Sequence, residues 1–329
     1  QSMFMQTVFP DQRLLDRFRS DNLPIYAGAP DTFKLEFYEN EEHIMYQEEF
    51  GSKLRMPKVD GLYFDWFEHP LLGKSYEECE KYQLPDPKDP GRFRGLREKV
   101  EKLNKETDKV LMACSPSVGI FESSWVLRGL EQTFLDMVME PKLLEMLADK
   151  VLEWMLGFWE AYLKEVGDLV QIVQLGEDLG GQNGPLFSPK FYREVYKPRH
   201  KALIDLIKKH TDAKIYLHSC GSVYQYIPDF IEIGIDVLNP IQFNTKDMEA
   251  EKLKKEFGKD MCFWGGGANP VTTLPKGTPK EVREEVKKQI EILGKDGGYV
   301  FASIHNMLHD IPPENVVAFF DAAFEYGVY

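Results

Sequence analysis

The stretch Lys214-Ile215-Tyr216-Leu217-His218-Ser219-Cys220-Gly221 decides how this chain is read. A short apolar run stops at a glycine, which is how a brief buried strand bounded by a turn former is written. Residues i and i+2 of a strand point to the same face. His218 and Cys220 are therefore delivered side by side at a strand end, and an imidazole beside a thiol is a pairing suited to Zn²⁺.

Outward from this strand the same unit repeats. Short apolar runs at 109–113, 169–175, 235–238, 261–264 and 299–302 alternate with amphipathic segments at 92–107, 141–166, 188–210, 223–233, 247–257, 279–293 and 313–326. Helix starts are marked by Ser188-Pro189, Thr278-Pro279-x-Glu281 and Pro312-Pro313-Glu314. Strands separated by single helices make βαβ units and a parallel sheet. Six or more such units without a switch in order favour an α/β fold of the (β/α)8 TIM-like barrel type over an open sheet. Residues 1–75 are irregular and rich in aromatics, Pro and acids. They read as an N-terminal elaboration or lid, with a hairpin across 47–55 and 61–66, on a barrel of residues 76–329 within one domain.

The chain has 329 residues and a net charge of −14 without a Lys/Arg-rich run, which argues against a nucleic-acid or anionic-membrane partner. No apolar stretch approaches the ~18 residues of a membrane span, and the N-terminal Gln-Ser-Met-Phe-Met-Gln lacks a signal-peptide pattern. Cys79, Cys114, Cys220 and Cys262 are scattered with no C-x-x-C, a usage that fits reduced thiols in a cytoplasmic protein. Association as a homodimer is left open.

In a barrel the active groups come from the C-terminal ends of different strands. Collected there are Glu177, Asp178 and Asn183; His218 and Cys220; Asn239 and Gln242; the Gly265-Gly266-Gly267 loop; and His305 with Asn306. Each has a plain alternative. Glu177 or Asp178 could be a turn carboxylate, and His305 a buried hydrogen-bonded histidine. Cys220, like Cys114 and Cys262, could be a small core residue. The glycine loop could cradle an anion or merely turn the chain. Trp125, Tyr63 and Trp264 could line a substrate pocket or simply fill core.

The motifs Gln174-Leu-Gly-Glu-Asp-Leu-Gly-Gly-Gln-Asn-Gly-Pro185, Leu217-His-Ser-Cys-Gly-Ser222, Ile233-Gly-Ile-Asp-Val-Leu-Asn-Pro-Ile-Gln242, Phe263-Trp-Gly-Gly-Gly267 and His305-Asn…Pro312-Pro-Glu-Asn315 resemble the uroporphyrinogen decarboxylase superfamily. The resemblance runs from about residue 42 to the C-terminus, and the branch it is similar to holds zinc-containing, cobalamin-dependent methyltransferases. It implies a TIM-like barrel. In that branch zinc is held by a His-x-Cys pair and a later Cys; His218 and Cys220 match the pair, and His305 falls where the third ligand would stand. The porphyrinogen decarboxylases carry an N-terminal Arg-Gln-Ala-Gly-Arg-type segment for propionates, and nothing like it occurs here.

The resemblance thus implies a zinc-dependent methyltransferase acting on a small methylated substrate. Three ligands with an open position are the catalytic zinc pattern. Two nitrogens and one thiolate donate less negative charge than one nitrogen and two thiolates, which favours a Lewis-acid role and an O-methyl donor such as a methoxylated aromatic or methanol. Glu177 or Asp178 would be a fourth ligand or the proton donor, and Asn183, Gln242 and Asn306 would orient the substrate. The Asp-x-His-x-x-Gly signature of corrinoid carriers does not occur, so the corrinoid is expected in trans on a partner protein. The alternatives are a thiol methyltransferase, a decarboxylase of a small carboxylate using Arg17, Arg19 or Arg55, and a non-catalytic binding protein.

Overall fold

The computed structural model describes residues 11–328. The N-terminal segment read above for a signal peptide lies outside them. The chain forms two compact units of interleaved segments. One comprises 22–173 and 194–213, and the other takes 174–193, 214–328 and the short segment before residue 22.

In the second unit, strands Lys214–His218, Val237–Asn239, Cys262–Trp264 and Tyr299–Val300 pair in parallel, each with the next in the chain. Tyr216 stands opposite Val237, Val237 opposite Cys262, and Phe263 opposite Tyr299. Helices Ile227–Ile233, Ala250–Phe257 and Pro279–Leu293 are the crossovers, and Pro313–Tyr326 follows the last strand. Strictly sequential pairing is the winding of a barrel rather than of a doubly wound sheet. Ile215, Tyr216 and Leu217 are all buried, as a parallel strand covered on both faces requires. Helix Pro279–Leu293 starts with a complete capping box, Thr278 and Glu281 each accepting from the other's backbone N–H. Its buried residues Val282, Val286, Gln289, Ile290 and Leu293 recur at helical spacing.

In the first unit, strand Asn22–Ile25 pairs in parallel with Val110–Cys114. The sequence reading left residues 22–25 in an irregular region, because four residues including Pro24 carry too little periodicity to announce a strand. The hairpin expected near 47–66 proves to be part of a four-stranded antiparallel sheet: Phe37–Glu39, His43–Gln47, Lys53–Pro57 and Asp65–Glu68. Two helices that periodicity did not announce, Ile120–Arg128 and Leu130–Met139, follow Val110–Cys114. Helix Pro141–Val166 buries Leu144, Leu147, Val151, Phe158 and Tyr162 along one stripe, and Tyr162 donates its hydroxyl to Ile25 O at 2.7 Å.

Strand Ile172–Gly176 begins later than its apolar run. The N–H groups of Leu169 and Val170 still bond back to Val166 O at 2.9 and 3.2 Å, so the helix end consumes the first residues of that run. Among the described residues no helix is long and apolar enough to cross a membrane.

Candidate metal centre

The centre is built at the ends of strands in the second unit. Side-chain atoms of Asp178, His218 and Cys220 lie within 4.8 Å of one another. Cys220 Sγ is 3.4 Å from His218 Nε2, and Asp178 Oδ1 is 3.9 Å from the same nitrogen. All three are half-buried, so the cluster opens to solvent.

Asp178 reaches this position through a backbone contact. The turn after Lys214–His218 lies against the short antiparallel pair Gly180–Gly181 and Gly184–Pro185. Ser222 N donates to Gly181 O at 2.8 Å, and Leu179 N donates to Ser219 Oγ at 3.1 Å. A Cβ on Gly180 would stand 2.5 Å from Cys220 O, and one on Gly221, whose φ is +81°, 2.5 Å from Gly180 O. Only two glycines permit that approach. It leaves Asp178 Oδ1 accepting from Cys220 N at 2.7 Å. Glu177, its neighbour, is buried at 2 % exposure, with its N–H on His218 O at 2.8 Å, and is not a member of the cluster. Of the two carboxylates, Asp178 is the one that lies in the group.

The imidazole is oriented by a residue whose role the sequence did not reveal. Asn239 is buried, and its Nδ2 donates to Trp264 O at 3.1 Å, which fixes the amide with Oδ1 toward His218 Nδ1 at 2.7 Å. Oδ1 can only accept, so Nδ1 carries a proton; in the neutral ring this leaves the lone pair on Nε2, the nitrogen that faces Cys220 and Asp178. Metal-bound histidines are ordinarily held this way, the distal nitrogen donating to a fixed oxygen.

A nitrogen, a sulfur and a carboxylate oxygen are zinc's usual donors. Tetrahedral bonds of about 2.05 Å to nitrogen and 2.3 Å to sulfur would set those two atoms roughly 3.6 Å apart. The observed 3.4 Å fits that edge.

His305, the third ligand implied by resemblance, stands outside the 4.8 Å group. Its side chain is exposed at the rim, yet partial desolvation lowers its pKa, His218 adds to the lowering, and Asp178 opposes both. Asn183 is exposed at the tip of the turn between Gly181 and Gly184. Gln242 spends its Oε1 on Gly221 N at 2.7 Å, securing the turn behind Cys220. Asn306 is half-buried beside His305 in the chain. Trp125 and Tyr63 belong to the first unit, where Trp125 meets Trp66 edge to face at 5.1 Å. The N–H groups of Gly265 and Gly267 donate to Val300 O and Ala302 O, so the glycine loop continues the sheet and these amides are not offered to an anion. Arg17 pairs with Asp321 at 2.8 Å, Arg19 lies over the Phe324 ring at 5.1 Å, and Arg55 over Phe67 at 5.0 Å.

Comparison with known proteins bears on most of the chain. Uroporphyrinogen decarboxylase of Aliivibrio salmonicida is 25% identical, covering 84% of this chain and 77% of its own length. That of Pseudoalteromonas translucida is 24% identical, over 84% and 78%. Among solved structures, a methyltransferase from Methanosarcina mazei aligns with a TM-score of 0.61 at 20% identity, covering 81% of this chain and 73% of its own. The family described as Uroporphyrinogen decarboxylase (URO-D) matches residues 43–326. With that span and sequentially paired parallel strands, the chain belongs to the uroporphyrinogen decarboxylase family, an α/β family of TIM-barrel fold.

Proposed function

We propose that this enzyme is a zinc-dependent methyltransferase that moves a methyl group between a small methylated substrate and a corrinoid carried by a partner protein. The observation that carries the reading is the convergence of Asp178, His218 and Cys220, with Asn239 holding the imidazole in the ligating tautomer. The Methanosarcina mazei structure named as a methyltransferase supports it at the level of fold.

In this reading His218 Nε2, Cys220 Sγ and an Asp178 oxygen hold the ion, with His305 at the rim. Bound zinc supplies Lewis acidity toward the heteroatom that bears the methyl group. The chain's own residues do the rest. Asn239 keeps a proton on His218 Nδ1, and Asp178 Oδ1 ties the Cys220 backbone in place. His305, whose pKa is lowered, is available in neutral form to take the proton of an O–H or S–H that is to receive a methyl group.

The donor set refines the choice of substrate. With Asp178 as third donor, the formal charge equals that of one imidazole and two thiolates, so charge alone does not separate O-methyl from S-methyl substrates. The difference is hardness, and a carboxylate oxygen leaves the ion harder than a second thiolate would. An O-methyl donor, a methoxylated aromatic or methanol, is favoured on that ground.

The second reading is a decarboxylase, favoured by the names of the curated relatives. It needs a cationic residue for the substrate carboxylate, and Arg17, Arg19 and Arg55 are engaged with Asp321, Phe324 and Phe67.

The test has two parts. Metal analysis of the purified protein is expected to give one zinc per chain, lost in His218→Ala and Cys220→Ser; a metal-free wild type, or variants that keep the ion, would defeat the metal assignment. Methoxylated aromatics, methanol, methylamines and thiols are then screened with reduced corrinoid, followed by the cobalt absorbance change. Release of CO₂ from a carboxylate without corrinoid would instead establish the second reading.

A further inference from the structure

Helix Leu130–Met139, in the first unit, is amphipathic the wrong way round. Its polar side chains turn inward: Thr133 and Asp136 are buried, and Gln132 Nε2 donates to Asp136 Oδ1 at 2.7 Å. The other Asp136 oxygen accepts from Arg128 Nε at 2.6 Å, and Arg128 Nη1 donates to Leu71 O and Lys74 O, both at 2.7 Å. A buried ion pair therefore fastens the helix to its unit and holds it in one orientation.

The outward face is apolar. Val138 is 80 % exposed, Met139 73 %, Leu135 52 % and Leu130 47 %. Leu135, Val138 and Met139 stand at i, i+3 and i+4, and half-buried Phe134 joins Leu130 to Val138 at the same spacing, so they form one strip. Leu72, also exposed, continues it past the helix start, its Cδ1 lying 3.5 Å from where a Cβ on Gly129 would stand. Within the helix only Glu131 turns a charge to solvent. Single exposed apolar side chains are ordinary, but the five exposed ones here leave on the order of 500 Å² of contiguous apolar surface in water, the mark of an interaction site.

We propose that this face is the contact between two copies of the chain, packed antiparallel across a two-fold axis. Area is the first reason. A patch of this size is the apolar centre of an interface of about 800 Å² per partner, the rest being polar rim. Charge is the second. Glu131 stands near one end of the strip, and Lys142, exposed, lies three residues beyond the other. With the axis between residues 136 and 137, Glu131 of each copy meets Lys142 of the other, Leu135 meets Val138, and Phe134 meets Met139. The surface is thus its own complement, as a two-fold contact requires, and the opposed helix dipoles favour the same arrangement. A membrane surface fits less well, because the helix contains no Lys or Arg and the chain carries a net charge of −14.

Sedimentation equilibrium of the full-length chain tests this. Wild type is expected to be a dimer that dissociates on dilution through the micromolar range. Leu135→Lys and Val138→Lys together should raise the dissociation constant by about 30-fold or more, the effect of losing the centre of an interface. Their added positive charge lowers the general repulsion between two acidic chains, so the loss would come from the strip itself. Glu131→Lys and Lys142→Glu should each weaken the dimer by about 2- to 10-fold, and combined should restore it toward wild type. All four positions are exposed, and circular dichroism checks that each variant keeps its fold. The inference is overturned by a wild type that stays monomeric throughout that range, whether or not it binds vesicles of phosphatidylserine and phosphatidylcholine. It is equally overturned by a dimer that survives the double lysine substitution, or by a combined charge swap no tighter than the single ones. No metal or corrinoid enters the measurement, so its failure would leave the methyl-transfer reading untouched.

Discussion

Glu48 in the first unit and Asp178 in the second are both carboxylates fixed by backbone amides, yet they are prepared for opposite states. Glu48 is buried in the wall of an apolar cavity, and that burial, seconded by the charge of Glu49, raises its pKa to about 7 against the pull of the Phe50 and Ser52 amides. Asp178 is half-buried and accepts from Cys220 N with Oδ1, and the same oxygen lies 3.9 Å from His218 Nε2. One environment favours a proton and a neutral neighbour; the other, in the function proposed above, a cation. Solvent access and the partner across the gap decide this, not the residue type.

The largest effect that could break this contrast is at the cation side. Removing the imidazole or the thiol, in His218→Ala or Cys220→Ser, should empty the centre of zinc, while the unfolding transition of the first unit's core stays in place. Co-purified metal and circular dichroism read the two outcomes.

At the proton side the sign follows from the raised pKa. Between the ordinary 4.5 and about 7 the folded chain keeps a proton on Glu48 that the unfolded chain has released. The stabilisation is full below 4.5 and is lost as pH rises toward 7, to the extent of about 3 kcal/mol. Urea unfolding of wild type against Glu48→Gln, run from pH 4 to pH 8 in steps of about one unit, should show wild type losing that advantage with rising pH. A pH-independent difference would mean that burial does not govern this carboxyl.

A smaller change tests the tautomer. Asn239→Leu should weaken zinc by about 10- to 100-fold, while Asn239→Asp, which still accepts from His218 Nδ1, should keep most of the affinity. Competition with a chromophoric chelator measures both, and equal losses would separate Asn239 from the centre. The smallest effect expected is a control on the second unit. Thr278→Ala removes the capping box of helix Pro279–Leu293 and should cost about 1 kcal/mol of stability without altering zinc stoichiometry.

Much of the fold was legible in the chain. Helices Pro141–Val166, Pro279–Leu293 and Pro313–Tyr326 begin and end where periodicity and capping residues place them. These signals lie within a few residues of each other. Six of the seven strands of the parallel sheet were legible in place but not all in length, since the apolar runs at 169–175 and 299–302 extend into a helix end and a loop. Strand Asn22–Ile25 and helices Ile120–Arg128 and Leu130–Met139 were not legible. Helix Ile120–Arg128 buries most of its residues, so its burial follows no helical stripe.

The sequence by itself set His218 and Cys220 two residues apart where a strand ends, and that short separation is a local property of the backbone even though the strand closes at His218. Which third group joins them was decided by tertiary structure. Asp178 is forty residues away in the chain and is brought in by the contact of Gly180 with Gly221, and Asn239 by the pairing of its strand with that of His218. The indole N–H of Trp66, buried without a hydrogen-bond partner among the described residues, is likewise a fact of packing, since whether a donor finds an acceptor depends on what the fold sets opposite it.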